Sequence, residues 1–152
     1  MAEEPMDATA RLRVEDTVIR LFVATDARDW PRVESCFTDP FMLDMSSLGA
    51  GPASATTPAQ VSAAWARAFE PLTHVHHQVG NFQTRVAGER AHVHCSGIAF
   101  HHRAGIADAR KTRMFVGSYD LDLTRHDALW RIATLRFHLK FIEGNRELEK
   151  AQ

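Results

Sequence analysis

Cysteine is scarce in this chain: Cys36 and Cys95 are the two among 152 residues. Two thiols are too few for a disulfide scaffold or a structural zinc centre. An excess of one charge is also missing. Eighteen Lys and Arg against nineteen Asp and Glu leave a formal charge of −1. With no basic stripe to neutralise phosphates, neither nucleic acid nor an anionic membrane is an expected partner. No apolar run approaches the ~20 residues that a membrane-spanning helix needs. The start, Met1-Ala-Glu-Glu-Pro5, is acidic and polar, unlike a signal or transit peptide. Phosphate-cradling glycine loops and nucleophile elbows are absent, since Gly49-Ala-Gly51 leads into a Pro/Ser/Ala loop. No cofactor is therefore expected. These absences, with 45% hydrophobic side chains, point to a cytoplasmic globular protein with one core. Histidine is plentiful, at nine residues, most of them in His74-Val-His-His77, His92-Val-His94 and His101-His102.

Residues 1–8 read as a disordered leader, followed by a single domain over 9–149. From Thr9 to Arg28, Leu12, Val18, Ile19, Phe22 and Val23 recur at helical spacing. Asp29-Trp-Pro31 restarts the chain as an N-cap with proline in the first turn. A short helix through Val33 and Phe37 is expected to stop at Asp39-Pro40. Phe41–Met45 is a strand candidate, and Ser46–Thr56 a loop. Thr57-Pro-Ala-Gln60 is a capping box that opens a helix running to about Glu70. Beyond Leu72 the period becomes two, giving four strands at about 73–86, 90–103, 111–125 and 129–142. Helices first and an antiparallel meander afterwards make an α+β pattern, with helices packed on one face of the sheet.

Two features carry chemistry. Asp26 lies four residues after Phe22 and seven after Ile19, so it projects from the apolar stripe of the first helix. A carboxylate there must be paired, because bare burial costs several kcal/mol. Strand alternation then sorts the histidines. A three-residue turn at 87–89 sets His77 opposite Ala99 and diagonal to His101, both on the helix-covered face. A two-residue turn slips the register by one and substitutes His102. Histidine beside a carboxylate in an enclosed apolar pocket is a general-base arrangement: the carboxylate fixes the tautomer and the free nitrogen takes the proton. The plainer alternative is a structural Asp with a satisfied core histidine. Zinc on His74, His76 and His102 is a weaker reading, since no fourth ligand is evident on that face. Metal is accordingly not expected. Cys95 reads as a small core residue, and Asp120 and Asp122 as solvated or in a subunit contact.

Ala24-Thr-Asp-Ala-Arg-Asp-Trp30 with Cys36-Phe-Thr-Asp39, His76-His-Gln-Val-Gly-Asn81, Gly117-Ser-Tyr119 and Trp130-Arg-Ile132 occur in order along nearly the whole chain. This set resembles the SnoaL-like branch of the NTF2-like superfamily. The resemblance implies a cone-shaped α+β barrel, with a curved mixed or antiparallel sheet wrapped around N-terminal helices. It also implies dimers or trimers. Within the superfamily, the scytalone dehydratases and hexachlorocyclohexane dehydrochlorinases place an orienting aspartate and a general-base histidine where Asp26 and His77 stand. A second pocket histidine of the dehydratases falls on His101 or, with a shifted gap, His102. The late-strand arginine of the dehydrochlorinases falls on His138, and their lysine one turn before the aspartate on Leu21.

The expectation is a cofactor-free lyase or isomerase of dehydratase or cyclase type, acting on a small hydrophobic cyclic or polyketide-like substrate. His77 and Asp26 are its catalytic pair. His101, His102, Tyr119, His138, Trp65 and Phe115 are the expected substrate contacts. The alternative is a non-catalytic small-ligand-binding protein of the same fold. Five apolar residues expected on the outward sheet face, Ile98, Phe100, Met114, Val116 and Ile132, predict a homodimer or homotrimer. Histidines at that seam predict association weakened by mild acid.

Overall fold

The structure, a computed structural model, describes residues 7–152. The leader expected over 1–8 lies outside the described residues as far as residue 6. Its last two residues are ordered. Asp7 caps the first helix by accepting from the Thr9 N–H at 2.9 Å, and Ala8 is already helical. Helix α1 (Ala8–Asp26) buries Val14, Thr17, Val18, Leu21, Phe22 and Thr25. Three residues of the expected stripe, Leu12, Ile19 and Val23, turn outward instead, at 54%, 40% and 53% exposure. The buried stripe therefore passes through Leu21 and Thr25, and Asp26 sits at its margin rather than its centre.

Helix α2 (Trp30–Glu34) starts as its cap requires, with the Asp29 carboxylate accepting from the Arg32 N–H at 3.3 Å. It ends before Phe37, which begins strand β1 (Phe37–Asp44). The expected continuation of that helix to Phe37 is thus corrected. The chain pairs with a later strand as soon as it leaves α2: Ile132 N–H donates to Cys36 O at 2.8 Å, and Phe37 sits opposite Ile132. Sheet pairing overrides local preference here. The expected loop holds a 3-10 turn (Ser46–Leu48) and the short strand β2 (Ser54–Thr56). Helix α3 (Pro58–Phe69) opens on the capping box, with the Thr57 hydroxyl accepting from Gln60 N–H and Gln60 Oε1 accepting from Thr57 N–H, both at 3.2 Å.

Four long strands follow: β3 (His74–Ala87), β4 (Arg90–His102), β5 (Thr112–His126) and β6 (Leu129–Gly144). The six strands form one curved, unclosed mixed sheet in the order β2-β1-β6-β5-β4-β3. Every pairing is antiparallel except β1 with β6, which is parallel. The main core lies between α1 and the concave face of the sheet, where Val18, Val93, Leu121 and Ile132 are all excluded from solvent. Ile132, expected outward, is one of them. A register shift between Asp122 and Leu123 sets it beside Leu123, on the core side. A smaller cluster of Leu72, Val75, Ile106 and Leu148 anchors the C-terminal 3-10 turn (Leu148–Lys150).

The β3–β4 hairpin reaches the expected register by an unexpected route. Its turn has two residues, with Ala87 opposite Arg90 and Gly88 at φ +60°. Taken alone that slips the register by one. An irregularity between Gly80 and Gln83, with Asn81 at φ +54°, adds the missing residue, and His77 lies opposite Ala99.

Candidate active site

Asp26 ends α1 and meets β3 from above. Its Oδ2 accepts from the His77 backbone N–H at 2.8 Å, and its Oδ1 accepts from His77 Nδ1–H at 2.6 Å. One carboxylate therefore holds both the main chain and the ring of the same residue. Both side chains are largely buried, at 11% exposure for His77 and 19% for Asp26. With Nδ1 committed as a donor, Nε2 is left with a free lone pair. The ring packs 5.3 Å from Phe22, which stands 4.8 Å from Tyr119.

His77 lines a cavity of about 280 Å³ together with Trp65, His101, Phe115 and Tyr119, four of the expected substrate contacts. The His101 ring lies between Phe69 (5.4 Å) and Phe115 (5.0 Å). Its Nδ1 accepts from Arg113 Nη2–H at 2.9 Å. Burial pushes the His101 imidazolium down to about 4, aided by the charge of Arg113 and the nearness of His77. His101 is thus neutral at ordinary pH. Tyr119 is 6% exposed, and its phenol is raised by burial first, then by Cys95 and Asp26. Its hydroxyl has no hydrogen-bond partner among the described residues, although the ring lines the cavity. Gly97 makes room for that ring, because a Cβ there would meet Tyr119 Cε2 at 2.3 Å.

Two expected contacts lie elsewhere. His102 occupies the opposite face of β4, where its Nδ1 shares a hydrogen bond with the Thr112 hydroxyl at 2.8 Å and its ring stacks on His74. Strand alternation alone separates it from His101. His138 is on the convex face, its Nε2 2.8 Å from Asp120 Oδ2. There Asp120 also meets His94 at 3.0 Å and His92 at 3.2 Å, and His92 bridges on to Asp122 at 2.8 Å. His76 leans toward Asp26, 3.7 Å from Oδ2. Among the described residues no group of three or more His, Cys, Asp or Glu side chains is arranged to hold a metal ion. The two thiols are inert core groups: burial raises Cys36, and raises Cys95 to about 12.

Other parts of the site escaped the sequence. Leu48 and Ala50 line the cavity from a loop without a periodic signature, held down by the Ser47 hydroxyl, which donates to Phe137 O at 2.8 Å and accepts from Leu139 N–H at 3.0 Å. Arg113 had a signal. It shares the inward parity of Phe115 and Tyr119 on β5, which marks a buried cation in need of partners.

Comparison with known proteins bears on the family and the fold. The sequence pattern of the SnoaL-like domain matches residues 6–136. No curated protein matches the chain. Among solved structures, the Kfla4162 protein of Kribbella flavida superposes with a TM-score of 0.88 at 21% identity, over 95% of this chain and 100% of its own. A scytalone dehydratase candidate from Novosphingobium aromaticivorans gives 0.78 at 12% identity, over 91% and 89% of the two chains. The hexachlorocyclohexane dehydrochlorinase LinA-type3 of Novosphingobium barchaimii LL02 gives 0.75 at 11% identity, over 91% and 92%. At such identities the likeness is one of fold. Among the described residues no helix is long and apolar enough to cross a membrane. The family pattern spans most of the residues that build the sheet and its cavity, and the chain belongs to the SnoaL-like domain family, with the NTF2-like fold.

Proposed function

We propose that this protein is a cofactor-free lyase or isomerase of dehydratase or cyclase type, in which His77 is the general base and Asp26 orients it. The observation that carries the reading is the double hold of Asp26 on His77, at 2.8 Å to the main chain and 2.6 Å to the ring. The bond to the ring fixes which of its nitrogens stays free. His77 Nε2 takes a proton from a substrate carbon, and the imidazolium so formed is stabilised by the Asp26 carboxylate. His101 and Tyr119 offer hydrogen bonds to a substrate oxygen as negative charge develops there. The substrate is small and mostly apolar. A cavity near 280 Å³ is roughly twice the ~150 Å³ that holds a benzene in an engineered core, which suits one or two rings.

The test is exchange of α-protons for deuterium in D2O with a panel of mono- and bicyclic ketones, followed by proton NMR. Exchange with the native chain is expected, falling about 10²–10⁴-fold in His77→Ala. Undiminished exchange in a folded His77→Ala chain removes the catalytic reading. The second reading, a small-ligand-binding protein without chemistry, is favoured by the sparse polar lining. Saturable binding of these ketones without exchange in any of them would support it.

A further inference from the structure

The cavity holds two histidines, and their ring hydrogen bonds run in opposite senses. His77 donates from Nδ1 to Asp26. His101 accepts at Nδ1 from Arg113, and a guanidinium only donates. The His101 proton must then sit on Nε2, which has no hydrogen-bond partner among the described residues, and His101 lines the cavity. Arg113 is itself held from below. Its Nη1 donates to Glu149 Oε2 at 2.9 Å and to Arg146 O at 3.3 Å, and its Nη2 donates to Glu149 Oε1. Its guanidinium lies over the Phe115 ring at 5.1 Å. Glu149 belongs to the C-terminal 3-10 turn, which Arg103 ties down by donating to Leu148 O and Glu149 O at 3.0 Å each.

We propose that Arg113, anchored by Glu149, is a positioning residue that fixes His101 as a neutral Nε2–H donor into the cavity, making the C-terminal segment part of the site. The use of that donor on a substrate oxygen rests on the catalytic reading above; the tautomer does not. A cation in contact with Nδ1 excludes the Nδ1–H form and disfavours the imidazolium. Glu149 prevents Arg113 from swinging away, and its own carboxyl is held below the usual range by the hydrogen bond from Arg113. The charged and titratable groups around His101 are Arg113 on β5, Glu149 on the C-terminal turn, His77 on β3 and Asp26 on α1. The site thus pairs a base with a donor that resists becoming a proton source. A neutral donor of this kind polarises a carbonyl and holds an enolate.

Long-range proton–nitrogen NMR of the 15N-histidine chain tests this without turnover, so failure of the catalytic reading leaves the result readable. The native spectrum is expected to show His101 protonated at Nε2 and His77 protonated at Nδ1, each assigned by its disappearance in a His101→Gln or His77→Gln variant. In Arg113→Met, Glu149 faces the ring as an acceptor. His101 should shift toward the Nδ1–H form and its titration midpoint should rise. Arg113→Lys, which keeps a donor, should restore the Nε2–H form. Glu149→Ala, at a partly exposed position, should introduce a minor Nδ1–H population, and serves if Arg113→Met does not fold. The His77 signal, held by Asp26, reports the intact site throughout. A native His101 protonated at Nδ1 overturns the proposal. So does an unchanged His101 tautomer in Arg113→Met or Glu149→Ala with the His77 signal retained.

Discussion

Asp26 and His77 are 51 residues apart in the chain, yet both were legible, because each breaks a pattern. A carboxylate at the edge of a helix stripe and a histidine on an inward strand face are anomalies that burial must answer. Arg113 breaks the pattern of β5 in the same way. Its carboxylate partner lies in a tail without periodicity, so the pair could not be assembled from sequence. The depressed His101 couples folding to pH. Its folded value of about 4 lies below the unperturbed 6.5, so the unfolded chain binds more protons between these values. The stabilisation is complete above 6.5 and is lost as pH falls to about 4. It amounts to roughly 3 kcal/mol. Urea melts at pH 7 and pH 4.5 should show that loss, and His101→Phe should remove most of it. Gly97→Ala sets a Cβ 2.3 Å from the Tyr119 ring, which Phe22 and Phe137 hold at 4.8 Å on either side. Thermal melts should record a destabilisation of about 1–3 kcal/mol. Ketone binding should weaken as the ring is pushed into the cavity.

At the scale of elements, the four long strands and α3 follow their sequence periods closely. Capping chemistry fixes α3 strongly enough to predict its failure: Thr57→Ala removes the acceptor for Gln60 N–H and should cost about 1 kcal/mol in urea melts. Strand β2 and the parallel pairing of β1 were not legible: β2, with three residues, is too short to show a period, and the parallel partner of β1 is β6, far later in the chain. The β3–β4 hairpin teaches a subtler point. Its expected register is right although its expected turn is wrong, because Asn81 supplies at the bulge the residue that the turn omits. Hydrophobic parity between the bulge and His77 determined the outcome; the turn alone did not.

At the scale of the molecule, the convex face of the sheet carries Ile98, Val116 and Phe141 in one cross-strand row and Phe100 and Met114 in the next. Phe141, 49% exposed, takes the place that Ile132 was expected to hold in this patch. Association of two copies through this face remains our expectation, a dimer ahead of a trimer. Light scattering at neutral pH should give a multiple of 17.1 kDa, and Phe141→Glu should return the monomer. Beside the patch, three histidines share Asp120 and Asp122. Partial burial works against it, yet hydrogen bonds from His94 and His138 hold Asp120 below the usual carboxylate range. The parallel pairing of β1 with β6 has a consequence in time. Asp44 and Arg136, which close that pair, are 92 residues apart. A ribosome adding about 5–20 residues per second needs on the order of ten seconds to cover that stretch. Throughout that interval α1 and β1 are made and α3 joins them early on, but the wall bearing Leu135 and Phe137 is completed only at its end. The nascent chain must keep its apolar surfaces apart from other chains until then, and the pocket is among the last parts of the protein to exist.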